Sequence, residues 1–174
     1  MVISNFHMNN YIDLDTAKQD LSDWIINFLD VPQSLLNNIA PCPFAKTALI
    51  NNKIRFVVGS ESVVQDMLML AAKWDVEYEG VVLIYPSNIN ADNFVDSVEY
   101  VNNLFYRHSG LLALEDHPQI SEDIAGLRFN NHKYAIVIVQ QAEKLRKASE
   151  MLSKRGYYKN WSHRDLDAVV NWRW

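Results

Sequence analysis

The chain has 174 residues, 49% of them hydrophobic, with a formal net charge of −5 and a single cysteine. That length and apolar content suffice for one buried core, and a lone cysteine excludes an intrachain disulfide. The start, MVISNFHMNNYIDLD, lacks the basic-then-apolar pattern of a signal peptide, and the longest apolar runs, YAIVIV and GLLAL, fall far short of the ~20 residues of a membrane helix. A cytoplasmic protein with no membrane contact is therefore expected. In chain order, the first predicted helix runs from Thr16 to about Leu29, with Asp15 as N-cap and Ala17, Leu21, Trp24, Ile25 and Phe28 at helical spacing. Pro32 ends it, and QSLLNNI forms a short turn of helix before the Cys42 segment. Asn51-Asn52 turns the chain into KIRFVV, a strand rich in β-branched residues.

Ser60 is the expected cap of a helix over 61–74, with Val64, Met67, Leu68, Ala71 and Trp74 facing inward. GVVLIYP reads as a second strand, apolar on both faces. Asn90 caps a helix carrying Phe94, Val98, Val101 and Phe105, which His108-Ser109-Gly110 terminates. LLALE is a third strand and YAIVIVQ a fourth, so strands are expected near 54–58, 80–85, 111–115 and 134–139. The last helix turns Ala142, Leu145, Ala148 and Leu152 inward and stops at Gly156. With no internal repeat, low-complexity tract or linker, this order predicts a single-domain α/β fold. Its sheet would be four-stranded, mixed or mainly parallel, with helices on both faces. The domain divides into an N-terminal helical segment (1–50), an α/β core (51–156) and a basic aromatic tail (157–174).

Charge is unevenly spread. Residues 1–142 hold 8 Lys/Arg against 17 Asp/Glu, a net of −9, whereas residues 143–174 hold 8 against 4, a net of +4. The tail also carries Tyr157, Tyr158, Trp161, Trp172 and Trp174. Basic and aromatic side chains together can hold nucleic acid by phosphate attraction and base stacking. The favoured alternative is a helix with a solvated basic face and aromatics folded back on the core.

Cys42 stands between Pro41 and Pro43. With Pro43 at the first helical position, Cys42 becomes the N-cap. The free N–H groups of that turn, and Lys46 one turn on, then favour a thiolate with a lowered pKa. The competing reading is a small packed side chain. Between the third and fourth strands lies a long polar loop, DHPQISEDIAGLRFNNH, and ligands in open α/β sheets bind beyond strand carboxyl ends. Glu115, Asp116 and His117 sit at such an end. A carboxylate beside an imidazole suits a general base, so Cys42, His117 and Asp116 are the catalytic candidates. Arg55, inside the strand IRFVV, and Arg128, in the loop, are candidates for binding an anionic group, with Glu115 beside them. Should a metal be present, Glu115, His117 and His132 are its expected ligands, although no His-x-x-x-His or Cys-x-x-Cys pair supports one. His7, His108 and His163 are expected at the surface. The five scattered glycines form no phosphate loop, and no cofactor is assigned.

Two resemblances attach to these residues. Cys-Pro-Phe-Ala at 42–45 is similar to the active-site start of omega-type glutathione transferases and glutaredoxins. Those folds lead a strand into the motif and supply a later cis-proline, and the chain has neither a strand in SLLNNIAP nor a later Val-Pro. The match therefore reads as convergence. The order Trp24, CPFA, Arg55 in a strand, His117-Pro118 and NNHKY at 130–134 resembles an uncharacterised family of small bacterial proteins. That resemblance implies no known reaction, but it implies that Cys42 and His117 share a site. The reading is thus a small enzyme acting on a small molecule, with Cys42 as nucleophile or redox thiol and His117 as base. The alternatives are a non-catalytic protein that binds a macromolecular partner through its C-terminus, and a metal-dependent enzyme centred on the 115–132 loop.

Overall fold

The structure, a computed structural model, describes residues 11–173, so the expectations for His7 and Trp174 lie outside the described residues. Helix α1 spans Leu14–Trp24 and continues into a π-helical turn, Ile25–Leu29. Ala17, Leu21, Ile25 and Leu29 are all buried along this element. A four-residue step overshoots one α-helical turn by about 40°, and the wider π turn takes that rotation back, keeping Ile25 and Leu29 on the core side. A 3-10 turn, Ser34–Leu36, and a short helix α2, Ala45–Ile50, complete the N-terminal layer.

Strands β1 (Ile54–Val58) and β2 (Gly80–Tyr85) pair in parallel, joined by helix α3 (Val63–Ala72). Helix α4 (Ala91–Val101) runs through a second π turn, Asn102–Tyr106, into a last turn α5 (Arg107–Ser109) and then strand β3 (Leu111–Asp116). The next segment is a small hairpin of β4 (Asp123–Ile124) and β5 (Leu127–Arg128). Strand β6 (Ala135–Gln141) inserts between β2 and β3, antiparallel to both, giving a mixed sheet of order β1-β2-β6-β3. Helices α6 (Ala142–Lys154) and α7 (His163–Val169) and a 3-10 turn (Asn171–Arg173) finish the described chain.

Side chains alternate across this sheet. One face presents Val81, Leu83, Tyr85, Ala113, Val137 and Val139 to α3 and α4. The other presents Phe56, Val82, Ile84 and Ile136 to α1 and its π turn. A third cluster gathers Leu36, Ile39, Ile124, Leu152, Tyr157 and Trp161, joining the hairpin to the C-terminal helices. The second π turn has a use at the sheet edge. It buries Asn102, whose Nδ2 donates to Ala113 O at 2.9 Å and whose Oδ1 accepts from Ala113 N at 2.9 Å. A side-chain amide thus stands in for the missing neighbour strand of β3.

The architecture agrees with the sequence expectation, and the differences are local. The cap of α1 is Asp13, which accepts from Thr16 N at 2.9 Å, rather than Asp15. Ser62 caps α3, because Ser60 is engaged by the Asp66 carboxylate through both its N–H and its hydroxyl. The Cys42 helix starts two residues later than expected, at Ala45 with Phe44 as its cap. The long loop holds a hairpin, and the tail holds a helix, α7, fixed by a capping box between Ser162 and Asp165. Gly156 ends α6 at φ 81 as expected, and a Cβ there would meet Asn37 Nδ2 at 2.9 Å. No helix among the described residues is long and apolar enough to cross a membrane.

Candidate functional site

The α1 layer packs on β1, β2 and Ile136 of β6, and residues of the C-terminal helices lie across from it. Between the two coverings lies a cavity of about 1370 Å³, larger than the ~300–1,000 Å³ of an ordinary ligand pocket. Its floor is the sheet: Phe56, Val82, Leu114, Ile136 and Ile138. Trp24, Ile25, Leu29 and the Cys42 segment form one wall, and Leu152, Tyr157, Trp161 and Arg173 form another. Glu115, Asp116, Ser121 and Glu122 enter from the end of β3 and the loop beyond it.

Cys42 lies in this wall. Its backbone N–H donates to Leu29 O at 2.8 Å, and the neighbouring Pro41 O accepts from Tyr157 Oη at 2.7 Å, so the segment is clamped between the π turn and the C-terminal cluster. Desolvation by burial pushes the thiol pKa up, and the N–H groups of Phe44 and Ala45, which pull it down, do not offset that. Lys46 does not help the thiolate, since its ammonium pairs with Asp30 at 2.8 Å. The direction is opposite to the sequence expectation. Two turn N–H groups ahead of a six-residue helix supply less than burial removes.

His117 is placed elsewhere. It is 2% exposed, packs on Phe94, and has both ring nitrogens engaged. Nε2 donates to Ile89 O at 3.0 Å, and Nδ1 accepts from Gln119 N at 3.2 Å. His117 does not line the cavity, so the structure does not bring it to Cys42. Asp116 reaches the cavity but serves as a clip. Its carboxylate accepts from Asn130 Nδ2 at 2.7 Å and Asn131 N at 2.8 Å, closing the loop that begins with it. Arg55 is exposed on β1, His132 is exposed at φ 65, and Arg128 is exposed with Nε donating to Asn130 Oδ1 at 3.3 Å. None of these three lines the cavity. No group of three or more His, Cys, Asp or Glu side chains that could hold a metal occurs among the described residues.

The loop meets Cys42's cavity through Glu122 instead. Desolvation pushes the Glu122 carboxyl up to about 8, with the charges of Asp116 and Glu115 adding to the rise. Glu115 moves the same way, again chiefly by desolvation. Arg173 is the cation these groups share. Its field acts on Cys42, Glu115 and Glu122, and burial pulls its own pKa down. The sequence reading counted Arg173 only as tail charge, and it did not single out Glu122. The available signal was a lone cation between two tryptophans, Trp172-Arg173-Trp174, in a segment that cannot be all solvent-facing. Three donors around the cavity are buried without a hydrogen-bond partner among the described residues: Trp24 Nε1, Trp161 Nε1 and Arg173 Nε. Tyr157 and Trp161 fold back on the core, only 3% and 9% exposed. They are not free to stack bases.

Comparison with known proteins gives no matching family model, no matching curated protein and no matching solved structure.

Proposed function

We propose that the protein is a small-molecule enzyme whose site is this cavity, with Glu122 exchanging a proton with the bound molecule. The observation that carries the reading is the set of buried, unpartnered donors, Trp24 Nε1, Trp161 Nε1 and Arg173 Nε, around a space of ligand size. Buried N–H groups without acceptors are costly, and a bound molecule with acceptor atoms removes that cost.

Glu122 supplies the chemistry. A carboxyl titrating near 8 is mostly protonated at neutral pH and lies close enough to it to pass through both states during turnover. Glu115, raised in the same direction, is the second carboxyl of the site. A protonated carboxyl in a desolvated position suits the donation of a proton to a leaving or developing oxygen, followed by its recovery. Cys42 contributes a neutral S–H to the wall, and His117 supports α4 through Ile89 O.

The test is a fragment screen read by NMR on the 15N-labelled chain. Binding fragments should move the indole N–H signals of Trp24 and Trp161 while leaving that of Trp74, which lies outside the cavity, in place. Fragments that bind only elsewhere, or a library with no binder at all, would overturn the reading.

A further inference from the structure

Arg173 is a charge that the contacts among the described residues leave unexplained. It is half-buried, it makes no ion pair within 4.0 Å among the described residues, and its Nε has no hydrogen-bond partner there. A cation taken out of water without a partner is costly, and such a charge persists where a partner arrives.

Its position is built by the fold. Arg107 Nη2 donates to Trp172 O at 2.8 Å, and the same guanidinium lies over the Trp172 ring at 5.4 Å. That pins the Asn171–Arg173 turn to the segment before β3, while Arg173 N donates to Val170 O at 3.2 Å. Two cations thus meet one aromatic turn. Arg107 is spent holding it, and Arg173 is left to face the cavity. Trp161, which is 9% exposed and also lines the cavity, carries a second N–H without a partner among the described residues.

We infer that the ligand of this cavity is a monocarboxylate with a large apolar body, its carboxylate held by Arg173 and its body laid along the sheet floor. The inference rests on the reading of the cavity as a small-molecule site and adds the substrate class. A guanidinium presents parallel N–H donors that match a planar carboxylate. Arg107, Lys144, Lys147 and Arg164 also line the cavity, but Arg173 is the cation whose field reaches Glu115 and Glu122, and beside those acids a monoanion is opposed less than a phosphate dianion. The floor of Phe56, Val82, Ile136 and Ile138 offers the body no polar partner.

The experiment is calorimetric titration at about pH 6.5, where Glu122 carries its proton. The probes are 2-naphthoate and decanoate, each beside its primary amide, which keeps the shape and removes the charge. Wild-type protein should bind each carboxylate about tenfold or more tighter than its amide. Arg173→Met should abolish the preference for carboxylate over amide, and Arg173→Lys should retain part of it. Amides binding as tightly as carboxylates, or a carboxylate preference that survives Arg173→Met, would overturn the inference while leaving the cavity reading standing. If neither carboxylates nor amides bind wild-type protein, both fall. The wild-type comparison of acid with amide decides the matter even if a variant does not fold.

Discussion

The two faces of the sheet differ in how they treat buried polar groups. On the α3–α4 face, Tyr106 Oη donates to Met67 O at 2.7 Å, Tyr85 Oη to Asp66 at 3.0 Å, and Asn102 completes the edge of β3. One indole there, Trp74 Nε1, is the exception among the described residues. On the opposite face, Trp24 Nε1, Trp161 Nε1 and Arg173 Nε have no hydrogen-bond partner among the described residues, and burial raises the Glu122 carboxyl at the loop end. One face satisfies nearly all of its buried polar groups, and the other leaves several of them unpaired among the described residues. Buried polar groups are normally satisfied, so a local concentration of unsatisfied ones locates the site independently of any motif.

Truncation should separate the faces most strongly. Phe94 is 1% exposed between Tyr85 and His117, and Phe94→Ala should cost about 3–5 kcal/mol in denaturant unfolding. Ile138→Ala, in the cavity floor, opens onto existing space and should cost only about 1–2 kcal/mol. Equal losses at the two positions would break the contrast.

The next effect is electrostatic. The folded-state pKa of Glu122, about 8, lies above its ordinary value of 4.5, so the folded protein holds this proton more tightly than the unfolded chain. Stability linked to Glu122 is therefore full below about pH 4.5 and is lost as pH rises toward about 8. Glu122→Gln should leave unfolding unchanged near pH 4 and stabilise the protein by about 1–2 kcal/mol near pH 9. A smaller effect is expected at the tail. Arg107→Ala removes an exposed bond to Trp172 O and should cost about 0.5–1 kcal/mol. Its stronger signature is faster amide exchange confined to the C-terminal turn.

Cys42 sharpens the comparison from the other side. Its thiol should react with iodoacetamide more slowly than a free cysteine at neutral pH, with a midpoint above the ordinary thiol range. His117→Ala should not move that midpoint, since His117 does not share the cavity.

The sheet was legible because its strands are short, nearly continuous runs of β-branched and aliphatic residues, and such runs allow little else once helical periodicity flanks them. The hairpin was not. Its turn is Ala125-Gly126, with φ 52 and 82, and alanine is a poor residue for a left-handed position. What supports it is the Ala125 N–H bond to Asp165 Oδ2 at 3.3 Å, forty residues away in sequence. Helix α7 left one readable trace, the Ser162–Asp165 capping box. The sequence reading coupled the Cys42 segment and the loop end through His117, which does not line the cavity. The structure couples them through Arg173 and Glu122, because the cavity's other wall comes from the chain's far end. Local spacing carries no information about that closure.

The central claim is that Glu122 is a half-buried, proton-exchanging group in the cavity. A 13C NMR titration of the glutamate side-chain carboxyls tests it most directly, with Glu122→Gln assigning the signal. The account predicts one resonance, absent from the variant, with a midpoint at about 8. Titration of the Glu122 carboxyl at its ordinary 4.5 would contradict the account and leave the cavity without its acid.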